Sequence, residues 1–145
     1  MVKLSFPGKI KTLEELLPSV KMHRQEGKKL VFTNGCFDLL HKGHVLYLNQ
    51  ARALGDILIV GVNSDSSVRQ LKEPGRPLIP QEERALLVAA LEYTDYVVIF
   101  DEDRPDRLLE AIRPDIHVKG GDYTLDRVPE AKIVSAYGGQ VILTK

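Results

Sequence analysis

Cysteine is almost missing from this chain: Cys36 stands alone among 145 residues. No internal disulfide and no Cys-based structural zinc cluster can form, and the expected compartment is a reducing cytoplasm. Net charge is missing too, because twenty Lys and Arg are matched by twenty Asp and Glu. Nothing global draws the chain to nucleic acid or to an anionic membrane, so any anion site must be local. No apolar run could span a bilayer, and the start MVKLSFPGKIKTLEELLPSV is broken by Pro7, Gly8 and charges before a signal-like core forms. The expectation is a cytoplasmic protein with no membrane and no nucleic-acid partner. Internal repeats, linkers and low-complexity segments are also absent. Neither a G-x-x-x-x-G-K-[ST] loop nor a G-x-G-x-x-G turn occurs, so kinase and dehydrogenase readings lose their main support.

What remains is an ordinary globular composition, 43% hydrophobic and 28% charged, of a length that suits one domain. A single domain over 1–145 is expected, with an N-terminal helix over about 12–26 and an α/β core over about 29–145. Thr12-Leu13-Glu14-Glu15 has capping-box spacing, and Leu13, Leu16, Leu17 and Val20 recur at helical intervals. Pro18 lies inside this helix and should kink or restart it. Leu30-Val31-Phe32 reads as a buried strand, Gly35 as a turn, and Leu39, Leu40, Val45, Leu46, Leu48 and Ala51 as a helix stopping at Gly55. Ile57–Val62 is nearly continuous aliphatic sequence, as expected of a strand covered on both faces. A short helix over 66–71, a proline-rich loop over 71–80 and a helix opened by Pro80 and acids follow. Further on come a strand at Tyr96–Phe100, a helix at Pro105–Ile112, a strand at Ile116–Val118, a helix from Pro129 to Tyr137 and a strand at Val141–Leu143. Alternation of this kind implies right-handed βαβ crossovers and a Rossmann-like, doubly wound α/β fold. Five parallel strands in the order 3-2-1-4-5 would put strands one and four side by side at the reversal, where ligands bind.

The segment leaving strand one is Thr33-Asn34-Gly35-Cys36-Phe37-Asp38-Leu39-Leu40-His41-Lys42-Gly43-His44. In a first helical turn His41 and His44, three apart, point the same way. Gly43 has no side chain to block a ligand, and a helix start offers unpaired N–H groups to a phosphate. The pair could equally cap a turn or fill a polar crevice. Zinc is less expected, since its helical signature spaces histidines four apart around a glutamate. Val118-Lys119-Gly120-Gly121-Asp122-Tyr123 leaves strand four. It reads either as a plain turn with a solvated lysine or as the opposite wall of the same crevice. Ser64 and Asp65 suit a helix cap. Lys72 and Arg76 are either surface charges or the cations of a loop closing over the site. Asp38 could cap a helix or bind substrate. His23 is expected to be exposed on its helix, His117 to flank a buried strand end, Gly138-Gly139 to stop a helix, and Cys36 to be a small space-filler.

The first stretch, T-x-G-x-F-D-L-L-H-x-G-H, resembles the H-x-G-H nucleotidyltransferases. The likeness runs on through GDILIVGVNSDSSVRQLK, RPLIPQEER, VVIF and PDIHVKGGDY, and within that group is strongest to the heptose 1-phosphate adenylyltransferases of ADP-heptose synthesis. Glycerol-phosphate cytidylyltransferases share H-x-G-H and look more distant. The resemblance implies attack by a sugar phosphate on the α-phosphate of ATP, with Mg²⁺ present and pyrophosphate leaving. It implies that His41 and His44 steady the phosphates and that Lys119 belongs to the catalytic set. Asn34, Gly35, Cys36, Phe37, Gly43, Gly120 and Asp122 would line the nucleotide. Lys72 and Arg84 would neutralise phosphate charge, and Asp38, Asn63 and Arg76 would face the acceptor. A homodimer and a pathway sugar kinase are the implied partners. Relatives usually continue past the last strand into a Ser-Thr-Thr segment that grips the triphosphate, a contact not carried by Ile142-Leu143-Thr144-Lys145.

Overall fold

The computed structural model describes residues 5–121 and 124–144. Asp122 and Tyr123 therefore lie outside the described residues.

Helix α1 (Leu13–Gln25) opens with the expected capping box. The Glu15 N–H donates to Thr12 Oγ1 at 3.2 Å and the Thr12 N–H to Glu15 Oε1 at 2.9 Å. Pro18 does not restart it. The helix runs through as one element, with Leu16 and Val20 buried on either side of the proline. Packing of that face outweighs the roughly 3 kcal/mol that an interior proline costs.

The remaining elements alternate: β1 (Leu30–Gly35), α2 (Lys42–Arg52), β2 (Ile57–Asn63), α3 (Asp65–Leu71), α4 (Gln81–Ala89), β3 (Tyr96–Phe100), α5 (Asp106–Ile112), β4 (Ile116–Gly120), α6 (Ala131–Ala136) and β5 (Gln140–Thr144). All strand pairs are parallel and the order is β3-β2-β1-β4-β5, as expected. Helix α2 begins three residues later than the Leu39 start expected from periodicity, because His41 caps it. Leu39 and Leu40 belong to the preceding turn.

Strand alternation divides the core into two layers. Val31, Leu58, Val60, Val62, Val97 and Val118 face Leu48 and Ala51 of α2 and Ala85, Val88 and Ala89 of α4. Leu30, Phe32, Ile59, Val98 and Phe100 face Leu16 of α1, Leu108, Leu109 and Ile112 of α5, and Val134 of α6. Each fully buried aliphatic or aromatic side chain contributes about 1.5–3 kcal/mol of transfer free energy. This two-sided layer fixes where the strand ends stand.

The sheet opens at its reversal. β1 pairs with β2 along its whole length, but with β4 only at Val31↔Ile116 and Phe32↔His117. Beyond that point side chains take over from backbone pairing. Thr33 Oγ1 and the Tyr47 hydroxyl lie 2.9 and 3.0 Å from the Val118 carbonyl and 2.5 Å from each other, so one hydroxyl donates to the carbonyl and the other to its neighbouring hydroxyl. The Tyr47 ring also lies over Gly120, where a Cβ would come within 2.9 Å of it. Two diverging strands are thus tied at the floor of a crevice.

Candidate active site

The crevice encloses about 570 Å³. The end of β1 lines it with Asn34 and Gly35, the turn that follows with Cys36 and Phe37, and α2 adds His44 and Tyr47. Asn63 ends β2, Leu71 ends α3 and Lys72 follows it, Asp103 follows β3, and Lys119 and Gly120 come from β4. Residues 34–37 and His44 therefore share one cleft with Lys119 and Gly120, as their exits from adjacent strands required, whereas His41 and Gly43 stand at its edge on the exposed start of α2. Phe37 holds the turn in shape with a backbone φ of 51°, a strained angle for an aromatic residue, and its ring is buried against the core.

His41 is the N-cap of α2, with extended backbone, and its Nδ1 accepts the Gly43 N–H at 3.0 Å. His44 reciprocates: its Nδ1 accepts the His41 N–H at 3.3 Å. The two rings lie 4.0 Å apart between centroids, and Phe37 flanks His44 at 5.4 Å. An imidazole that accepts through Nδ1 carries its proton on Nε2 when neutral. Burial, and then the neighbouring His41, push the His44 pKa below the ordinary histidine value, so at neutral pH that ring is uncharged. Both histidines cap the helix and both keep an Nε2–H donor for something else. The two sequence readings, cap and phosphate holder, are compatible.

Gly43 has a more specific reason than leaving room for a ligand. A Cβ there would stand 2.7 Å from Cε1 and 3.0 Å from Nδ1 of His41. Alanine in a helix is ordinarily favoured over glycine by about 0.8–1.0 kcal/mol. We expect Gly43→Ala to lose that advantage, because the methyl pushes the His41 ring off its cap, worth typically about 1 kcal/mol. A thermal melt should show no gain in Tm, and turnover should fall.

Across the cleft, β4 places His117 and Lys119 on one face of the sheet, two residues apart. Both reach the same oxygen: Glu130 Oε1 lies 3.1 Å from His117 Nε2 and 3.4 Å from Lys119 Nζ. His117 is fully buried and Glu130 is 2% exposed. Burial opposes ionisation of Glu130, yet the hydrogen bond from His117, a backbone N–H and the charge of Lys119 outweigh it and push its pKa down to about 2. Lys119 keeps part of its side chain exposed to the cleft.

Three residues expected to meet ligand are engaged elsewhere. Asp38 is buried beneath the proline-rich loop, where its carboxylate accepts the Leu78 and Ile79 N–H groups at 2.8–2.9 Å and pairs with Arg76. Burial raises the Asp38 pKa, but those two amides and Arg76 more than reverse it and leave it below the usual carboxylate value. It neither caps α2 nor lines the cleft. Arg76 is correspondingly committed to Asp38 and Glu73. Arg84 is fully buried and donates Nε to Ile79 O at 2.8 Å, Nη1 to Cys36 O at 2.6 Å and Asn63 O at 2.7 Å, and Nη2 to Asp65 Oδ1 at 2.8 Å. It braces the strand ends rather than facing the cleft.

His23, expected on the surface, is buried and its Nε2 lies 2.7 Å from the Tyr96 hydroxyl. Cys36 fills space in the cleft wall, and burial raises its thiol pKa. Ser64 caps α3, accepting the Ser67 N–H at 3.3 Å. Sequence reasoning missed Asp103, Tyr47 and Glu130. Tyr47 could have been found as the residue one turn after His44 on α2. Asp103 and Glu130 carry no local signal.

A doubly wound sheet with a phosphate-ready helix start and a lysine at its reversal defines a nucleotide-handling α/β domain. The chain belongs to the cytidylyltransferase-like family, whose model matches residues 32–143. It is 58% identical over 136 residues to the bifunctional protein HldE of Geotalea uraniireducens, covering 94% of this chain and 28% of that one. The bifunctional protein HldE of Pseudomonas paraeruginosa is 57% identical over 129 residues, covering 89% of this chain and 27% of that one. The chain thus spans less than a third of the length of these relatives. Among solved structures, the lipopolysaccharide core biosynthesis protein of Thermoplasma volcanium superposes with a TM-score of 0.67 at 29% identity, covering 81% of this chain and 94% of that one. Pantoate-beta-alanine ligase of Francisella tularensis shares the fold alone, with a TM-score of 0.63 at 12% identity over 93% of this chain and 66% of that one. No helix among the described residues is long and apolar enough to cross a membrane.

Proposed function

We propose that this cleft transfers AMP from ATP to a sugar 1-phosphate, in particular a heptose 1-phosphate, giving ADP-heptose and pyrophosphate. The observation that carries the reading is the pair of mutually capped imidazoles at the start of α2, His41 and His44, each with an Nε2–H donor, of which His44 lines one cleft with Lys119. A phosphate oxygen of the acceptor attacks the α-phosphorus, and the bond from that phosphorus to the bridging oxygen breaks as pyrophosphate leaves. Such transfers need positioning and charge stabilisation more than covalent help. His44 donates to a phosphate oxygen whose charge grows, His41 fixes the neighbouring phosphate, and Lys119 and Lys72 neutralise the charge that pyrophosphate carries away. Asn34, Gly35, Cys36, Phe37 and Gly120 shape the nucleotide wall, with Asn63 at its end.

Mg²⁺ fits this donor set. Among the described residues no three His, Cys, Asp or Glu side chains gather as a metal site, and a magnesium ion borne by triphosphate needs only one or two protein carboxylates. Asp103 in the cleft wall would supply one, and the ion would neutralise charge on the nucleotide phosphates. The bifunctional name of the relatives supports a sugar kinase as the source of the acceptor phosphate. A homodimer in the cytoplasm completes the reading.

The test is pyrophosphate release with ATP or CTP, each against heptose 1-phosphate, glycerol 3-phosphate and ethanolamine phosphate. Turnover is expected with ATP and heptose 1-phosphate. Preference for CTP with an alcohol phosphate would replace the substrate reading, and nucleotide binding without release would reduce the domain to a binding module.

A further inference from the structure

We infer that Glu130 is a positioning residue for turnover: held by His117, it fixes the Lys119 ammonium at the cleft wall. The inference rests on the proposed phosphate role of Lys119.

Lysine is a compact charge on a flexible stem, and a free one explores many rotamers. Here its ammonium lies 3.4 Å from an oxygen of a buried carboxylate. That carboxylate is itself fixed, because Oε1 lies 3.1 Å from His117 Nε2 in the interior. His117 Nδ1 is buried without a hydrogen-bond partner among the described residues. A carboxylate oxygen only accepts, so Nε2 donates to Glu130 and is the ring nitrogen through which His117 holds it. His117 thus orients the carboxylate, and Lys119 is its cationic partner at the cleft wall.

The chain order explains why the three meet. His117 and Lys119 share a face because strand side chains alternate, and Glu130 is the N-cap residue of α6, which packs on that face. Yet Glu130 makes no side-chain cap bond to its own helix. Its carboxylate turns to β4 instead. Burying a carboxylate costs several kcal/mol unless it is paired and hydrogen-bonded, so the arrangement serves stability poorly compared with an apolar residue. Its use is to hold a cation at the wall of a phosphate site, where a preplaced charge needs no reorganisation during reaction.

The experiment is a double-mutant cycle on the whole chain: Glu130→Gln, Lys119→Met and the pair, assayed by pyrophosphate release with ATP and heptose 1-phosphate and by ATP titration. Glutamine keeps the shape and an oxygen for His117 but removes the charge. Glu130→Gln is expected to lower kcat about 10- to 100-fold with KM for ATP changed less than about threefold, as for an interaction made chiefly in the transition state. In the Lys119→Met background the same change should alter kcat by less than about twofold, because residues acting as a unit are not additive. A purely structural role would multiply the two losses, and that result overturns the inference, as does parental kcat in Glu130→Gln. Parental kcat in Lys119→Met, or a parent chain without turnover, overturns the reading beneath it and the inference with it. If Glu130→Gln fails to fold by circular dichroism, Glu130→Asp, which keeps the charge but shortens its reach, carries the same cycle with the same outcomes.

Discussion

His44→Ala should cut kcat by roughly a hundred- to a thousandfold, about 2.7–4 kcal/mol, while ATP binding changes little. The ring stands in the cleft, its Nδ1 is occupied by the His41 N–H, and its Nε2–H is left to donate to substrate. A donor whose contact strengthens as charge builds on the transferring phosphate acts on the rate more than on ground-state affinity. The fold should survive, because the lost bond is a long one at 3.3 Å near the surface and exposed cap contacts of this kind are worth about 1 kcal/mol. His44→Gln is the informative companion. Its amide N–H reaches toward the position of Nε2 and should restore part of the rate, which truncation alone would not distinguish from a packing defect. Steady-state pyrophosphate release and calorimetric ATP titration on both variants decide it. Parental turnover in His44→Ala would remove the phosphate-steadying role from the histidine pair.

Most of this architecture was legible because the signals are periodic. Two-sided burial of Ile57–Asn63 wrote a continuous aliphatic run into the chain, and alternation of strands with short helices left one parallel order to prefer. The cleft was legible in part. Residues on one turn, from Asn34 to His44, announce each other through spacing, and strand order brings Lys119 to them. What was illegible depends on where a long side chain goes. Arg84 and Lys72 look alike on paper as cations near a proline-rich loop, but one is buried and the other exposed. Asp38 stands within the nucleotide motif and serves the loop across from it through Leu78 and Ile79. His23 sits on an amphipathic helix whose buried stripe extends one residue further than the leucines suggested. Glu130 and Asp103 reach the site from segments whose own residues give no period and no motif.

Arg84 separates the two meanings of a conspicuous cation. If it were a phosphate ligand, Arg84→Ala would weaken ATP or acceptor binding and leave folding unchanged. Its geometry predicts the reverse emphasis. The guanidinium is fully buried and donates to Ile79, Cys36 and Asn63 carbonyls and to Asp65, so truncation deprives four acceptors of their donor and leaves a cavity beneath the cleft. Removing one partner from a buried charge pair typically costs about 3–5 kcal/mol. For a domain of this size that corresponds to a Tm lowered by roughly 10 °C, within the usual span of about 2–4 °C per kcal/mol. Lysine should not rescue it, since one ammonium cannot reproduce a planar fork aimed at several acceptors. Activity should fall as well, but through the wall: Cys36 and Asn63 both line the cleft and both are held by Nη1. Urea denaturation of Arg84→Ala and Arg84→Lys against the parent, followed by ATP titration at a temperature where all three are folded, separates the roles. Unchanged midpoints with weakened ATP binding would return Arg84 to the phosphates. Lowered midpoints in both variants would establish that this cation builds the site from beneath.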